Sequence, residues 1–265
     1  MKDNKMSLPL VHPARVETHS FQPLKAWRHF RKLMADKEDT EQVFHIIRSL
    51  SGRGFVNRAE NFWNSARGRE TLMQKRGLVE QLDDHAALRR TAPGSLGHAY
   101  CDFMETEGLT AQGLADEYGK FASKHAQYED LLELYADRLR DTHDLMHVLT
   151  GYGRDALGEA SVLAFTYSQN PNLGTLFIAY AAAREIKKDV PANVPVYSAV
   201  REAQRHGRAS RNIVDEDVIA LLAMPIDDAR RHLNIGKPAA YRRVHDMLQS
   251  SGVNPYDLLG SAVAA

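Results

Sequence analysis

Two histidines and two carboxylates lie close together in the most apolar part of the sequence. In the stretch RDTHDLMHVLTGYGRDALGEASVLAF, residues 140–165, His143, Asp144 and His147 fall within five residues, and Glu159 follows twelve residues after His147. Residues four apart stack on one face of an α-helix, so His143 and His147 can present two imidazoles to the same ion. The spacing therefore predicts a metal site.

The two carboxylates have different expected roles. Asp144 lies about 100° around the helix from His143, so it could be a further ligand or a proton acceptor beside the ion. Glu159 belongs to the next predicted helix, and the turn TGYGRD allows that helix to fold back toward the histidines. Two imidazoles with one or two carboxylates suit zinc, with iron(II) as the alternative. We take all four residues as metal ligands, and Asp144 and Glu159 also as catalytic residues.

The competing interpretation is an ordinary protein core. Buried histidines are commonly structural, and Arg140 or Arg154 could pair with Glu159. However, Glu159 is the only charged residue between Ala156 and Ala183, and burying an ionised carboxylate is costly unless a cation accompanies it. A bound metal removes that penalty, so the sequence favours the metal site.

The elements that must position these residues are all predicted to be helices. Apolar residues recur at i, i+3 and i+4, alternating β-branched runs are almost absent, and the sequence has no internal repeat or clear linker. The strongest pattern predicts one continuous helix over 128–153, with both histidines on its inward face, and a helix over 155–169. We expect an all-α fold: a single multi-helix domain over 23–252, with the metal motif on two consecutive core helices. A flexible arm over 1–22 and a tail over 253–265 flank it.

Composition excludes several classes of function. Lys and Arg total 34 and Asp and Glu total 34, so net charge suggests no nucleic-acid partner. The single cysteine, Cys101, can form neither an internal disulfide nor a thiolate metal cluster, which fits a reducing compartment. No uninterrupted apolar run is long enough to span a bilayer, and the first residues have no secretory signal. We therefore expect a cytoplasmic protein.

Other polar clusters are weaker candidates. The sequence VHDML at His245 repeats the His-Asp pair, but Gln249 stands where a second histidine would be needed, so we interpret His245 as a surface residue. The basic clusters RRHLN and REAQRHGR are interpreted as solvated helix faces, with contact to anionic lipid headgroups as a second option. The sequence has no glycine-rich phosphate loop or serine nucleophile elbow.

The motif and its surroundings resemble a known family. The pattern His-Asp-x-x-His, eleven residues, then Glu resembles the signature of the coenzyme Q biosynthesis protein 4 family, and residues 135–159 are similar to it throughout. Residues 67–104 and 203–235 are also similar, and the resemblance covers about residues 25 to 238. The chain departs from the family at DEDV, residues 215–218, where an aromatic–acidic pair is common.

The resemblance implies an all-α fold, a divalent metal usually taken to be zinc, and a lipid-accessible pocket. It also implies peripheral association with a membrane surface and with other ubiquinone-biosynthesis proteins, and we keep a homo-oligomer as an option. The implied substrate is a polyprenylated hydroxybenzoate, a quinone precursor, whose ring carboxylate is removed and replaced by hydroxyl.

Three functions follow as hypotheses. The first is a metal-dependent decarboxylase of the polyprenyl-benzoate head group, in which the apolar helices after Glu159 line a groove for the isoprenoid tail. The second is a lipid-binding scaffold that organises the biosynthetic complex around a structural metal. The third is a metal-dependent hydrolase, since HDLMH is a variant of HExxH, although Asp144 is one methylene shorter than the glutamate of that motif.

Overall fold

A computed structural model describes residues 7–15, 21–36, 39 and 41–259, and all regular elements within these ranges are helical. The all-α class predicted from periodicity is confirmed. In chain order the α-helices are α1 Pro23–Ala35, α2 Glu41–Ser49, α3 Arg53–Asn64, α4 Ala66–Met73, α5 Leu78–Leu82, α6 His85–Leu88, α7 Leu96–Glu107, α8 Ala111–Ala122, α9 Leu131–Asp141, α10 His143–Thr150, α11 Ala156–Gln169, α12 Leu173–Asp189, α13 Val196–Ala209, α14 Val218–Ala223, α15 Ile226–Leu233 and α16 Ala239–Ser250.

The prediction of one continuous helix over 128–153 is wrong, because Thr142 separates α9 from α10. Thr142 is buried and has φ −93° and ψ 1°, outside helical geometry. Its hydroxyl donates to the carbonyls of Arg138 at 3.0 Å and Leu139 at 3.2 Å, so it satisfies the end of α9 locally. A threonine that bonds back to the preceding turn commonly bends a helix. Helix α9 therefore ends at Asp141, and α10 begins at His143.

The described residues form two compact units, each assembled from three separate segments of the chain. The first unit contains Arg53–Leu149, Asn212–Leu233 and the described part of Met1–Thr18. Its α9 carries Tyr135, whose ring lies 5.5 Å from Phe62, and buried Arg138. The Arg138 guanidinium donates to the carbonyl of Val214 at 2.8 Å. Burial lowers its pKa to about 10.

The second unit contains Thr150–Arg211 with the described parts of His19–Gly52 and Asn234–Ala265. Helix α11 is its core helix and is buried over most of its length, with α12 and α13 packed against it. A helix that is apolar on all sides belongs inside a protein, which explains the scarcity of charge in this part of the sequence. Gly207 on α13 permits close packing, since a Cβ there would lie 2.4 Å from the carbonyl oxygen of Phe165.

Part of the predicted arm is held against α9 of the first unit. The amides of Leu131 and Leu132 donate to the carbonyls of Pro9 and Leu10, both at 3.0 Å, and Arg15 pairs with Asp130 at 2.8 Å. Residues 1–6 and 16–20 of the predicted arm, and 260–265 of the predicted tail, lie outside the described residues. The boundaries 1–22, 23–252 and 253–265 stay predictions. No described helix is both long enough and apolar enough to cross a bilayer.

Candidate metal centre

Helix α10 carries three of the four predicted site residues. It begins at His143, so His143 and Asp144 lie in its first turn and His147 one turn further on. The Nε2 atoms of His143 and His147 are 3.3 Å apart, and the two rings meet edge to face at 84°. His147 is buried, whereas His143 is partly exposed. The i,i+4 spacing thus brings the two imidazoles together as the sequence predicted.

This separation fits two ligands of one metal ion. Zinc–nitrogen bonds of about 2.0–2.1 Å at a tetrahedral angle place the two nitrogens about 3.3–3.4 Å apart. The observed 3.3 Å therefore suits a shared ion with little movement of the rings. A hydrogen bond between the imidazoles is the other arrangement that this distance allows, with one ring donating its N–H to the other.

Two contacts within the first unit fix the position of α10. The Arg230 guanidinium donates to the carbonyl oxygens of Val148 and Leu149, both at 3.0 Å, and so satisfies the end of the helix. Phe103 of α7 stacks on the His147 ring at 5.7 Å. The interpretation of RRHLN as a solvated face is wrong for Arg230, although it fits Arg231, whose side chain is 78% exposed.

Asp144 is buried, and its charge affects the pKa of Tyr100 on α7. Burial, together with the charge of Asp144, raises the pKa of the Tyr100 hydroxyl. The Tyr100 hydroxyl is itself buried and has no hydrogen-bond partner among the described residues. The roles of Asp144 as a ligand or proton acceptor stay predictions.

Glu159 lies in the second unit, in the first turn of α11. It is 2% exposed, and its backbone amide donates to the Asp155 carbonyl at 2.9 Å. Arg154 Nε lies 3.8 Å from Glu159 Oε1, at the long end of ion-pair distances. The other cation considered for this pairing, Arg140, instead bonds Asp137 and Asp141, each at 2.7 Å. Of the two structural pairings proposed for Glu159, the one with Arg154 is therefore present in weak form.

A buried network holds the start of α11 in the second unit. The Asp155 carboxylate accepts from the amides of Leu157 and Gly158, from the Tyr241 hydroxyl, and from His245 Nε2 at 3.2 Å. The interpretation of His245 as a surface residue is therefore wrong, because its ring is directed inward at Asp155. The sequence around His245 could not reveal this contact, because Asp155 is 90 residues away in the sequence.

This network also explains the glycine of the preceding turn. A Cβ at Gly153 would lie 2.8 Å from the Tyr241 hydroxyl oxygen, which donates to Asp155 and accepts from the Gly153 amide. The turn that carries Arg154 and precedes Glu159 is thus fixed by side chains of α16.

A second group of possible ligands lies in the first unit. The ligand atoms of His85, Cys101 and Glu105 are all within 4.8 Å of one another. Glu105 bonds Arg89 at 2.8 Å and His85 at 3.1 Å, and burial raises the pKa of the Cys101 thiol. An ion-pair network with a neutral thiol accounts for these contacts without a metal.

The first unit also has a cavity of about 190 Å³ beside α9. Charged side chains line much of it, among them Asp137, Arg138, Arg140 and Asp141, together with Trp63. None of the α10 residues lines this cavity within the described chain. A lipid-accessible pocket and a groove along α11 for the isoprenoid tail stay predictions.

Comparison with curated proteins identifies fungal relatives. The chain is 25% identical to the mitochondrial ubiquinone biosynthesis protein COQ4 of Ajellomyces capsulatus (strain NAm1 / WU24) over 186 residues, which are 69% of this chain and 62% of that protein. It is 24% identical to the mitochondrial coq-4 protein of Neurospora crassa over 177 residues, 67% of this chain and 48% of that one. The chain thus spans less than two thirds of the length of these relatives.

A solved structure and a family comparison complete the assignment. The fold is similar to the crystal structure of a protein ascribed to ubiquinone biosynthesis from Nostoc punctiforme PCC 73102, with a TM-score of 0.58 over 81% of this chain and 98% of that chain. The identity is 16%, so this similarity concerns the fold alone. Residues 34–239 match the family described as coenzyme Q (ubiquinone) biosynthesis protein Coq4, and the chain belongs to that family.

Proposed function

We propose that this chain takes part in ubiquinone biosynthesis and acts on the head group of a polyprenylated hydroxybenzoate. In this proposal His143, His147 and Glu159 bind one divalent cation, zinc or iron(II), and Asp144 is a further ligand or a proton acceptor. Family membership supports the pathway. The observation that supports the metal is the 3.3 Å separation of the two imidazole nitrogens.

The chemistry follows from the donor set. A divalent cation held by these residues would supply Lewis acidity, which would stabilise negative charge on the carboxylate and the neighbouring phenol oxygen of the substrate. His143 and His147 would bind the ion through Nε2, which would leave Nδ1 of each ring to carry the remaining proton. Glu159 contributes a negative charge in a buried setting, where electrostatic interactions are strong.

Loss of the ring carboxylate as carbon dioxide leaves an electron pair on the ring carbon. A proton taken up there completes a simple decarboxylation, and buried Asp144 is the residue we assign to proton exchange. Replacement of the carboxylate by hydroxyl also requires an external oxidant such as dioxygen.

A non-catalytic scaffold for the biosynthetic complex is the second candidate. It is favoured by the contact of Arg154 with Glu159, because a carboxylate that already faces a guanidinium has a structural role available. Both candidates include a polyprenylated ligand, other ubiquinone-biosynthesis proteins and a membrane surface as partners, and a homo-oligomer is compatible with both. We propose that this chain attaches peripherally to a membrane. The compartment is a separate question: the named relatives are mitochondrial proteins, and we propose the cytoplasm for this chain.

Metal analysis of the purified chain tests the proposal. We expect about one zinc or iron per wild-type chain, and loss of the metal in His143→Ala and Glu159→Gln. His232→Ala is the matched control, since His232 is a partly exposed histidine that pairs with Glu216, and it should keep its metal. If the wild type and the control carry no stoichiometric metal, even after reconstitution with zinc or iron(II), the metal site is rejected.

The same variants separate the two candidates. For the enzyme, Glu159→Gln should remain folded by circular dichroism and lose turnover of a prenylated hydroxybenzoate. For the scaffold, it should lose its fold or its binding to the other proteins of the complex.

A further inference from the structure

Exposed apolar side chains of the second unit cluster at the start of α1 and α12. Leu24 is 77% exposed, and Trp27 and Leu173 are each 46% exposed. Phe21, just before α1, is 72% exposed. Isolated exposed apolar residues are normal, but a contiguous group marks an interaction surface.

Ring contacts and helical spacing show that these residues form one surface. Leu24 and Trp27 are three apart on α1, and Leu173 and Phe177 are four apart on α12, so each pair shares a helix face. The Trp27 and Phe177 rings meet at 6.3 Å, which joins the two faces. We call Leu24, Trp27, Leu173 and Phe177 the α1 patch.

Four cations of α1 accompany the α1 patch: Lys25, Arg28, Arg31 and Lys32. Residues 21–35 include no Asp or Glu, although the whole chain has equal numbers of acidic and basic residues. Among the residues that the structure describes, none of these four cations forms an ion pair. Arg28 makes only a long contact with the Leu24 carbonyl, at 3.4 Å. The surface is therefore both apolar and positively charged.

We propose that the α1 patch and its four cations dock on the surface of an anionic lipid bilayer. Leucine and tryptophan side chains enter the boundary between headgroups and acyl chains, where tryptophan is favoured because its ring is amphipathic. Lysine and arginine beside them attract anionic headgroups. A protein partner of ordinary composition would not require a segment with four cations and no Asp or Glu over residues 21–35, so the charge distribution favours the bilayer.

This inference rests on the proposed function only in that a polyprenylated substrate resides in a bilayer. The α1 patch includes none of the proposed metal ligands. Failure of vesicle binding with metal content intact would reject this inference alone, and loss of metal with vesicle binding intact would reject only the proposed site.

Tryptophan fluorescence of the full-length chain provides the test, because the sequence has only two tryptophans and the other, Trp63, is buried. In a Trp63→Phe variant, emission should shift to shorter wavelength on addition of phosphatidylcholine vesicles with 30% phosphatidylglycerol. Brominated lipids should quench it. Cosedimentation of the wild-type chain with the same vesicles gives a second measurement if Trp63→Phe does not fold.

Paired variants assign the binding to this surface. Leu24→Gln and the double variant Arg28→Gln/Arg31→Gln should each lower partitioning onto anionic vesicles at least tenfold. Met73→Gln, an equally conservative change at an exposed residue of the first unit, should leave it unchanged. Equal binding by the α1 variants and wild type, equal binding to neutral vesicles, or no vesicle binding by wild type would overturn the proposal.

Discussion

At the scale of single residues, the candidate site depends on the two imidazoles of α10. Two nitrogen lone pairs 3.3 Å apart repel unless a proton or a cation lies between them. Helix spacing alone determines that His143 and His147 share a face, so this part of the site was predictable from sequence. The sequence could not show that Phe103 would stack on His147, because that contact depends on how α7 packs.

The buried hydroxyl of Tyr100 gives a prediction at this scale. It has no hydrogen-bond partner within the described chain, so it keeps a desolvation cost without a compensating bond. We expect Tyr100→Phe to leave the free energy of unfolding unchanged or to raise it by about 1 kcal/mol. Urea denaturation of the metal-free chain measures this change.

Tyr135→Phe is the matched control for Tyr100→Phe. Tyr135 is equally buried in the same unit, but Arg58 and Asn212 donate hydrogen bonds to its oxygen. We expect this control to lose about 1 kcal/mol. Destabilisation by Tyr100→Phe of similar size would instead show that the Tyr100 hydroxyl has a partner in solution, such as a buried water.

Helix α10 is the element on which the candidate site depends, and a single residue determines where it begins and another where it ends. Thr142 interrupts the predicted long helix, because its hydroxyl donates a hydrogen bond to the preceding turn. The spacing of apolar residues does not reveal such a bond. At the other end Gly151 has φ +73°, a left-handed conformation that glycine adopts without strain. The glycine was visible in the sequence as a helix stop, whereas the break at Thr142 was not.

Arg230 gives the prediction at the element scale. Because its guanidinium satisfies the last carbonyls of α10, Arg230→Met should lower the free energy of unfolding by about 1 kcal/mol while keeping most of the apolar stem. Arg231→Met is the control, since that side chain is 78% exposed and pairs with Asp228 of the same helix, and it should change stability by less than about 0.5 kcal/mol. Equal effects of the two variants in urea unfolding would show that Arg230 does not hold α10.

At the scale of the whole molecule, each compact unit joins segments that are far apart in the chain. In the first unit Arg138 bonds the carbonyl of Val214, and in the second a Cβ at Gly174 would lie 2.5 Å from the backbone of Ile47. Periodicity predicted which face of each helix is apolar, and hence the all-α class. It could not predict which distant segment covers that face, so the two units were not apparent from the sequence.

A metal that binds the folded chain and not the unfolded chain must stabilise the whole molecule. At a free concentration 100 times its dissociation constant, the gain is about 2.7 kcal/mol. For a chain of this size about 1 kcal/mol corresponds to about 2–4 °C, so chelation should lower the melting temperature by about 5–10 °C. Calorimetry of the metal-loaded chain before and after treatment with a chelator measures the change.

Two histidine variants provide the controls. His147→Ala should show no response to the chelator, whereas His232→Ala should respond like the wild type, because His232 bonds Glu216 and does not lie on α10. A wild-type melting temperature unaffected by chelation would mean that the imidazole pair shares a proton instead of a metal.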